Sequence, residues 1–520
     1  MGVAPMMELH VITDGLGLLL QPNVFIWLVF GLVAGFLVGV LPGFEATNAA
    51  AIFLPFSVGL STESALLLMV GIYAGANFAG AVPGILMNVP GTASAAATAL
   101  DGYPMAQKGQ ATLAIGLARM ASAVGGTLAG ITILAIIGPL SALALSFGTP
   151  EMFLVALLGL MVIGTVMGSS LRKGMLSAFL GLIIAAMSVN PLTAEPRFTF
   201  GFIELYEGVP FIPVIIGLFA FTQMFITSAE RLFKRPGEGT LLPDEGAGDP
   251  TSWLGRQYKE ATAGVRQTLA YPKTLVRASA IGTVIGMMPG MGTAVANFIA
   301  YGDAKNRSEH PETFGKGEPE GVVAAESCEN AVVAGTLVPT LTLGIPGSGT
   351  AAVMLASLYL HGVQPGPRIM ETHAVEAHAV LLGVLIASLL ILPIGVLLAS
   401  PLALITRLQP PLLVPPVLLI CVVGTYAFRN SFFDVWLALI FGLVGVALRL
   451  TGYPVVPLVL GLILGPIIEA NFLRSLLLGR GSMSIFFASN VSRALWALIA
   501  GIVIMSLVRK YRRSRKARLA

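Results

Sequence analysis

Gly39-Val-Leu-Pro42-Gly43-Phe-Glu45-Ala-Thr47-Asn48 and Asn88-Val-Pro90-Gly91-Thr92-Ala-Ser94 lie in the first half of the chain. They are answered in the second half by Gly286-Met-Met-Pro289-Gly290-Met-Gly292-Thr293 and Gly344-Ile-Pro346-Gly347-Ser348-Gly349-Thr350. Each half thus carries two Pro-Gly breaks followed by small and hydroxylated residues, inside sequence that otherwise reads as lipid-soluble helix. Pro83 and Pro339 correspond as well, each preceding the second break of its half by the same interval. Backbone opened at membrane depth is tolerated only where it is buried in protein or lines a cavity. Paired interruptions in two halves of a membrane chain point to a transporter's midplane site. A broken helix aims free N–H groups from one half-helix and free C=O groups from the other into the gap. The amides suit an anion and the carbonyls a cation.

Composition sets the class. Of 520 residues, 56% are hydrophobic and 11% charged, and the mean hydropathy is +0.86, whereas a soluble domain carries about 25% charge. The chain reads as an all-α polytopic membrane protein with about 10–12 transmembrane spans, the range reflecting how broken segments are counted. The expected organisation is an N-terminal segment (1–22), a first membrane repeat (23–229), a basic cytoplasmic loop (230–277), a second membrane repeat (278–508) and a basic cytoplasmic tail (509–520). Arg172-Lys173, the central loop and the tail carry the dense positive charge and are placed in the cytoplasm by the positive-inside bias, with the Glu195 loop outside. The N-terminal apolar run lacks a basic start and a small-residue cleavage site and is read as retained. The two cysteines, Cys328 and Cys421, indicate neither a disulfide framework nor a thiolate metal site. Nucleic acid is not an implied partner.

The residues after the second breaks, Asn88, Pro90, Gly91, Thr92, Ser94, Pro346, Gly347, Ser348, Gly349 and Thr350, are the candidates for substrate contact. The first breaks, with Pro42, Gly43, Glu45, Thr47, Asn48, Pro289, Gly290, Gly292 and Thr293, are the candidates for a coupling cation. Glu45 stands where the second repeat has Gly292, and an ionisable residue inside a membrane is a functional hypothesis by default. Each hydroxyl has a bland alternative, back-bonding to its own helix. Asn77 and Asn330 precede the second breaks as supporting candidates or packing residues. Glu326 and Glu329 share a helix face, which fits a cation site or the solvated mouth of a span.

Several motifs together resemble the large permease subunit of the tripartite tricarboxylate transporters, the TctA family. They are Gly39-Val-Leu-Pro-Gly43, Asn88-Val-Pro-Gly91 through Asp101-Gly-Tyr-Pro-Met-Ala106, Phe314-Gly-Lys-Gly-Glu-Pro-Glu-Gly321, Leu341-Thr-Leu-Gly-Ile-Pro-Gly347 and His361-Gly-Val-Gln-Pro-Gly-Pro367. The resemblance runs from Asn23 to Arg474. It implies a permease of the bacterial inner membrane that takes up a carboxylate, a tricarboxylate or related organic acid, driven by a Na⁺ or H⁺ gradient. It implies two partners, a small membrane subunit (TctB-like) and a periplasmic solute-binding protein (TctC-like), and no cofactor beyond the coupling cation. The implied fold resembles the ion-transporter superfamily, with inverted repeats, broken helices and re-entrant hairpins; parallel repeats are the alternative topology.

Other functions have less support in the residues. No Gly-Lys-Ser/Thr follows the Gly-rich breaks, so a nucleotide cradle is not indicated. His373 and His378 with Glu371 and Glu376 do not form a recognised ligand set, and no metal is expected. The serine, zinc and paired-aspartate signatures of intramembrane proteases are absent, with Gly302-Asp303 a near miss, so the chain is not expected to be an enzyme. A passive channel for small organic anions also uses opened backbone; the internal duplication favours alternating access.

Overall fold

A computed structural model describes residues 4–41, 44–166, 171–190, 195–233, 263–288, 292–398 and 414–501. Pro42, Gly43, Pro289 and Gly290 of the first breaks lie outside the described residues, as do Arg407, most of the central basic loop and the C-terminal basic block. The described residues are helical almost throughout. The elements are α1 (Ala4–Leu19), α2 (Pro22–Gly39), α3 (Ala46–Ser57), α4 (Thr62–Met87), α5 (Ala95–Gln107), α6 (Ala111–Leu145), α7 (Thr149–Val166) and α8 (Leu171–Ala185). A two-residue ladder of β1 (Ser188–Val189) and β2 (Pro196–Arg197) follows, antiparallel with Ser188 opposite Arg197. Then come α9 (Phe211–Ile215), a π-helical stretch (Ile216–Phe221), α10 (Thr222–Phe233), α11 (Pro272–Gly286), α12 (Gly292–Arg307), α13 (Pro319–Leu343) and α14 (Gly349–Leu360). The last are α15 (Ala374–Leu397), α16 (Val414–Arg429), α17 (Phe432–Leu450) and α18 (Val455–Leu478).

Eight of the described helical stretches are long and apolar enough to cross a bilayer, and α3, Thr149–Met161, α14 and α16 are shorter apolar helices. At 1.5 Å per residue, α4 reaches about 39 Å and α3 only about 18 Å, so α3 cannot cross a hydrocarbon core of roughly 30 Å by itself. This is the polytopic all-α architecture expected from composition. Outward-facing Ile26, Ile131, Phe179, Leu419, Trp436 and Leu443 are exposed, as lipid-facing side chains should be, since no polar solvent meets them there.

The helices gather into two compact units. The larger takes in Met1–Leu140, Ile212–Met288 and Gly292–Val446; the smaller takes in Ser141–Phe211 and Ala447–Ala520. In the larger unit, α2 and α4 pack through glycine. Gly31 lies against Leu68, Gly35 against Ile72 and Gly39 against Ala76, in each case with backbone as the nearest neighbour. Ascending positions meet ascending positions, so the two helices run parallel. Between them α3 runs back, its Phe53 meeting Phe30 of α2 edge-on and its Phe56 packing at a tilt against Phe30 and Trp27. The second half repeats this pattern. Gly282 and Gly286 of α11 lie against Cys328 and Val332 of α13, and α12 returns between them. Absence of a side chain is what lets parallel helices approach this closely, because lipid provides no hydrophobic drive to hold them together.

In the smaller unit, α8 and α18 use the same device, with Gly181 against Leu458 and Gly461 against Ala178. Phe153, Phe472 and Phe486 form a ring cluster beside it. The loop arginine Arg197 is held by Glu469 of α18 at 2.6 and 3.1 Å, a two-pronged ion pair. Glu151 near the start of α7 accepts the Gly148 N–H at 2.9 Å and the hydroxyls of Ser489 and Ser492 at 2.5 and 2.6 Å.

A side chain at Gly35 has no room: a Cβ there would stand 2.6 Å from the Ile72 carbonyl oxygen and 2.9 Å from the Ala76 nitrogen. Replacing Gly35 with Leu is therefore expected to destabilise the protein by about 1–3 kcal/mol or more, the usual effect of overpacking. Thermal unfolding of the purified protein in detergent measures this. An unchanged midpoint would show that α2 and α4 are free to part.

Candidate functional site

The second break of each half is built from the same hydrogen bonds. α4 ends on Asn88 and α13 on Gly344, both in the left-handed region with φ of 55° and 69°, the usual way to end a helix. The next N–H turns back to a proline carbonyl, Val89 to Pro83 at 3.4 Å and Ile345 to Pro339 at 3.1 Å. The correspondence of Pro83 and Pro339 is thus a shared capping bond. Gly91 and Gly347 then fold back on their own helices, near Gly80 and Thr336, and the Gly91 N–H donates to the Gly80 carbonyl at 3.0 Å. The hydroxyls of Thr92 and Ser348 accept the N–H of Ala95 at 3.3 Å and of Ala351 at 3.1 Å, the second of these capping α14. One constant shift in numbering carries every residue of the first set onto its partner in the second.

The two breaks face each other's halves in the same crossed fashion. Ser94 donates to Glu329 Oε1 at 2.5 Å, with Thr92 more loosely placed at 3.5 Å. Ser348 meets the Tyr73 hydroxyl at 2.8 Å, and Thr336 meets it at 3.3 Å. Tyr73 and Glu329 occupy equivalent positions on α4 and α13, so contact i–j in one direction is matched by j–i in the other, the signature of a two-fold relationship. The chemistry at the two ends is different. The Pro90 break is closed by a carboxylate and the Pro346 break by a phenol.

Glu329 sits in the larger buried cluster. Its second oxygen, Oε2, accepts the Asn297 side-chain N–H of α12 at 3.1 Å. Glu326, one turn earlier, accepts Thr98 Oγ1 of α5 at 2.5 Å and Ser122 Oγ of α6 at 2.8 Å. Both carboxyl side chains are fully buried. No basic side chain among the described residues forms an ion pair with either. Asn297 Oδ1 and both polar atoms of Asn330 are buried without a hydrogen-bond partner, as is Asn77 Nδ2.

The remaining candidates divide clearly. Thr47 and Thr350 hydrogen-bond each other at 3.1 Å across the halves, and Asn48 donates to Gln223 at 3.3 Å, just after the π-helical stretch. Pro346 and Gly349 are buried with Ser348 at the second break. Asn88 is exposed, Pro90 is half-buried, and Glu45 is a half-buried N-cap of α3 without a side-chain capping bond. Gly292 begins α12, and Thr293 is half-buried one residue later. His378 bonds the Ala374 carbonyl of its own helix, and His373 lies 3.6 Å from Glu376. Tyr73, Thr98, Ser122 and Asn297 are the members that sequence reading missed. Only Tyr73 left a signal, lying four residues before Asn77 and so on the same face of an apolar span.

A separate lock ties the halves together. Asp101, fully buried on α5, accepts the backbone N–H groups of Gly315, Gly317 and Glu318, each at 2.8 Å, on one oxygen. Its other oxygen accepts the Tyr301 hydroxyl at 2.8 Å. Gly315 and Gly317 have φ of +85° and +99°, and this is what turns successive N–H groups inward. Replacing Asp101 with Ala strands those donors, a loss of about 1–3 kcal/mol for a buried group. Trypsin is then expected to cut faster at Lys305, Arg307 or Lys316 than in the wild type. Equal digestion rates would mean that the turn holds without Asp101.

The sequence matches the model of the tripartite tricarboxylate transporter TctA family over residues 25–460. A protein of Agrobacterium vitis described as an uncharacterized 52.8 kDa protein in the TAR-I ttuC' 3'region is 31% identical over 497 residues, 95% of each chain. A second, an uncharacterized protein in the TAR-II ttuC' 3'region of the same organism, is 30% identical over 234 residues, 45% of this chain and 97% of its own. No solved structure matches the chain.

Proposed function

The chain belongs to the tripartite tricarboxylate transporter TctA family, and from that premise we propose that it is the large permease of a binding-protein-dependent secondary transporter. It takes up a carboxylate, a tricarboxylate or related organic acid, by alternating access driven by a Na⁺ or H⁺ gradient. Its partners are a small TctB-like membrane subunit and a TctC-like periplasmic solute-binding protein. It resides in the bacterial inner membrane with the C-terminus cytoplasmic, and it is not an enzyme.

The observation that carries this reading is the unequal chemistry of two equivalent breaks. At the first, the N-terminal end of α5 receives the protein's own carboxylate, Glu329, through the Ser94 hydroxyl. At the second, the N-terminal end of α14 meets a neutral phenol, Tyr73. A helix N-terminus favours negative charge, so the second break is where a substrate carboxylate binds, among Tyr73, Ser348, Thr350 and Thr47. Repulsion by Glu329 disfavours an anion at the first. The crossing of α4 and α13 supports inverted repeats: Tyr73 meets Thr336 while Gly80, packed on Thr92, lies beside the break that Glu329 closes. The two helices therefore run antiparallel, as halves related by an axis in the membrane plane must.

Counterflow in proteoliposomes tests the function, because a carrier exchanges labelled for unlabelled carboxylate whereas a channel shows no trans-stimulation. Gly91→Val and Gly347→Val are each expected to abolish uptake while the protein still inserts. A Cβ at Gly91 would stand 2.6 Å from the Gly39 carbonyl oxygen, and one at Gly347 3.0 Å from that of Gly286. Normal counterflow by both variants would remove the breaks from the transport site.

A further inference from the structure

We propose that the loop of the smaller unit around Phe198, Phe200 and Ile203 is a docking surface for the water-soluble solute-binding protein. The identity of that partner rests on the transport function proposed above; that the loop is built to hold a protein does not.

The loop exposes side chains that water disfavours. Phe198, Phe200 and Ile203 are 64%, 75% and 76% exposed, and Tyr206 joins them at 41%. A lone apolar side chain on a surface needs no explanation, but a cluster of them marks an interaction site. The backbone beneath is strained as well. Phe198 and Phe200 have φ of +54° and +52°, in the left-handed region that bulky residues avoid. Glycine or asparagine would hold such a turn at less strain and would suit water better. Phenylalanine offers neither advantage, so what it contributes is the ring it presents. Strain of this kind persists where the surroundings over-determine it, and it gathers at ligand clamps.

The surroundings here do so. Thr199, between the two rings, is buried, and its carbonyl accepts the Phe202 N–H at 2.9 Å. Arg197, next to Phe198, is held by both oxygens of Glu469. The β1–β2 ladder and the bond from the Val189 N–H to the Tyr206 carbonyl, at 3.1 Å, clasp the base of the loop. Leu205 turns inward and is buried. The rings are therefore presented in one arrangement.

A fixed arrangement separates a protein partner from lipid. Acyl chains are fluid and gain nothing from rings held in a single geometry, whereas preorganised aromatic anchors raise affinity for a surface with matching pockets. Charge points the same way. Glu195, Glu204 and Glu207 are exposed, and among the described residues none of them is in an ion pair. Arg197, the only basic residue between 190 and 208, is already paired with Glu469. Glu204 stands between Ile203 and Leu205, so sinking this turn into hydrocarbon would carry a carboxylate with it. An apolar centre with an acidic rim fits a partner in water whose own apolar patch is rimmed by lysine and arginine. α8 begins at Leu171, beside Arg172-Lys173, and the loop follows its far end. The positive-inside bias puts that end outside the cytoplasm, where the solute-binding protein is the soluble component of the proposed system.

Docking of a purified TctC-like solute-binding protein from the same genome onto the transporter in nanodiscs, read by surface plasmon resonance, tests the surface. Saturable docking is expected for the wild type. Phe200→Gly relieves the strained φ, so its thermal midpoint is expected to equal or exceed that of the wild type. Its docking is expected to weaken by about tenfold, as on losing an aromatic anchor. Glu204→Lys is expected to slow association and to flatten its dependence on salt. Wild-type docking by both Phe198→Gly and Phe200→Gly overturns the proposal. A wild type that performs carboxylate counterflow but does not dock the binding protein would also overturn it and leave the transport function standing. A nitroxide attached to the Phe200→Cys variant, selective because Cys328 and Cys421 are both buried, tests the lipid alternative. Collision with dissolved oxygen in preference to an aqueous nickel chelate would show the loop in the bilayer and overturn the proposal. Docking that is lost in Phe200→Gly, in a protein without counterflow, would support the surface and overturn the transport function.

Discussion

Gly91 rests on the carbonyl of Gly39, and Gly347 on that of Gly286. Both contacts exist because backbone opened inside a membrane has to find its hydrogen bonds and its packing within the protein. Everything around the two breaks serves this need. The left-handed residues Asn88 and Gly344 end the helices, the carbonyls of Pro83 and Pro339 take the next N–H, and the hydroxyls of Thr92 and Ser348 accept an N–H from the first turn of the helices that follow. Parallel glycine-lined pairs, α2 with α4 and α11 with α13, bring the end of one helix to the break of the other.

Duplication then creates an opportunity for divergence. Two breaks with the same backbone wiring can carry different charge, because side chains at equivalent positions are independent once the backbone is satisfied. Tyr73 and Glu329 are such a pair. The phenol leaves the N-terminal end of α14 facing a neutral group, whereas the N-terminal end of α5 faces an acidic one. Both chemistries lie on a single crossed pair of helices, α4 and α13. Among the polar residues of α13, Thr340 and Thr342 back-bond to their own helix, whereas the glutamates reach across. That difference separates residues that soften a helix from residues that build a site.

The lock at Asp101 has another consequence. It joins the Asp101-Gly-Tyr-Pro motif of the first half to the Phe314-Gly-Lys-Gly run of the second through three backbone N–H groups. Two motifs that carry the family resemblance and are far apart in the chain are therefore one structural feature, an anion-binding turn filled by the protein's own carboxylate.

Composition, the spacing of apolar runs and the four Pro-Gly breaks determined by themselves that this is a polytopic helical membrane protein built from two related halves, since hydropathy and helix interruption are local properties of the chain. The correspondence of Pro83 with Pro339, and the hydroxyls Thr92, Ser94, Ser348 and Thr350, were legible for the same reason. Tertiary structure alone decided that a carboxylate of the second half meets the Pro90 break: Glu329, far from Ser94 in the chain, is in contact with it. The partners Tyr73, Thr98, Ser122 and Asn297 come from five-helix convergence across both halves, and a contact between helices distant in sequence leaves no mark on the periodicity of either. Which side chains meet is set by close approach through glycine, and that depends on the whole packed unit.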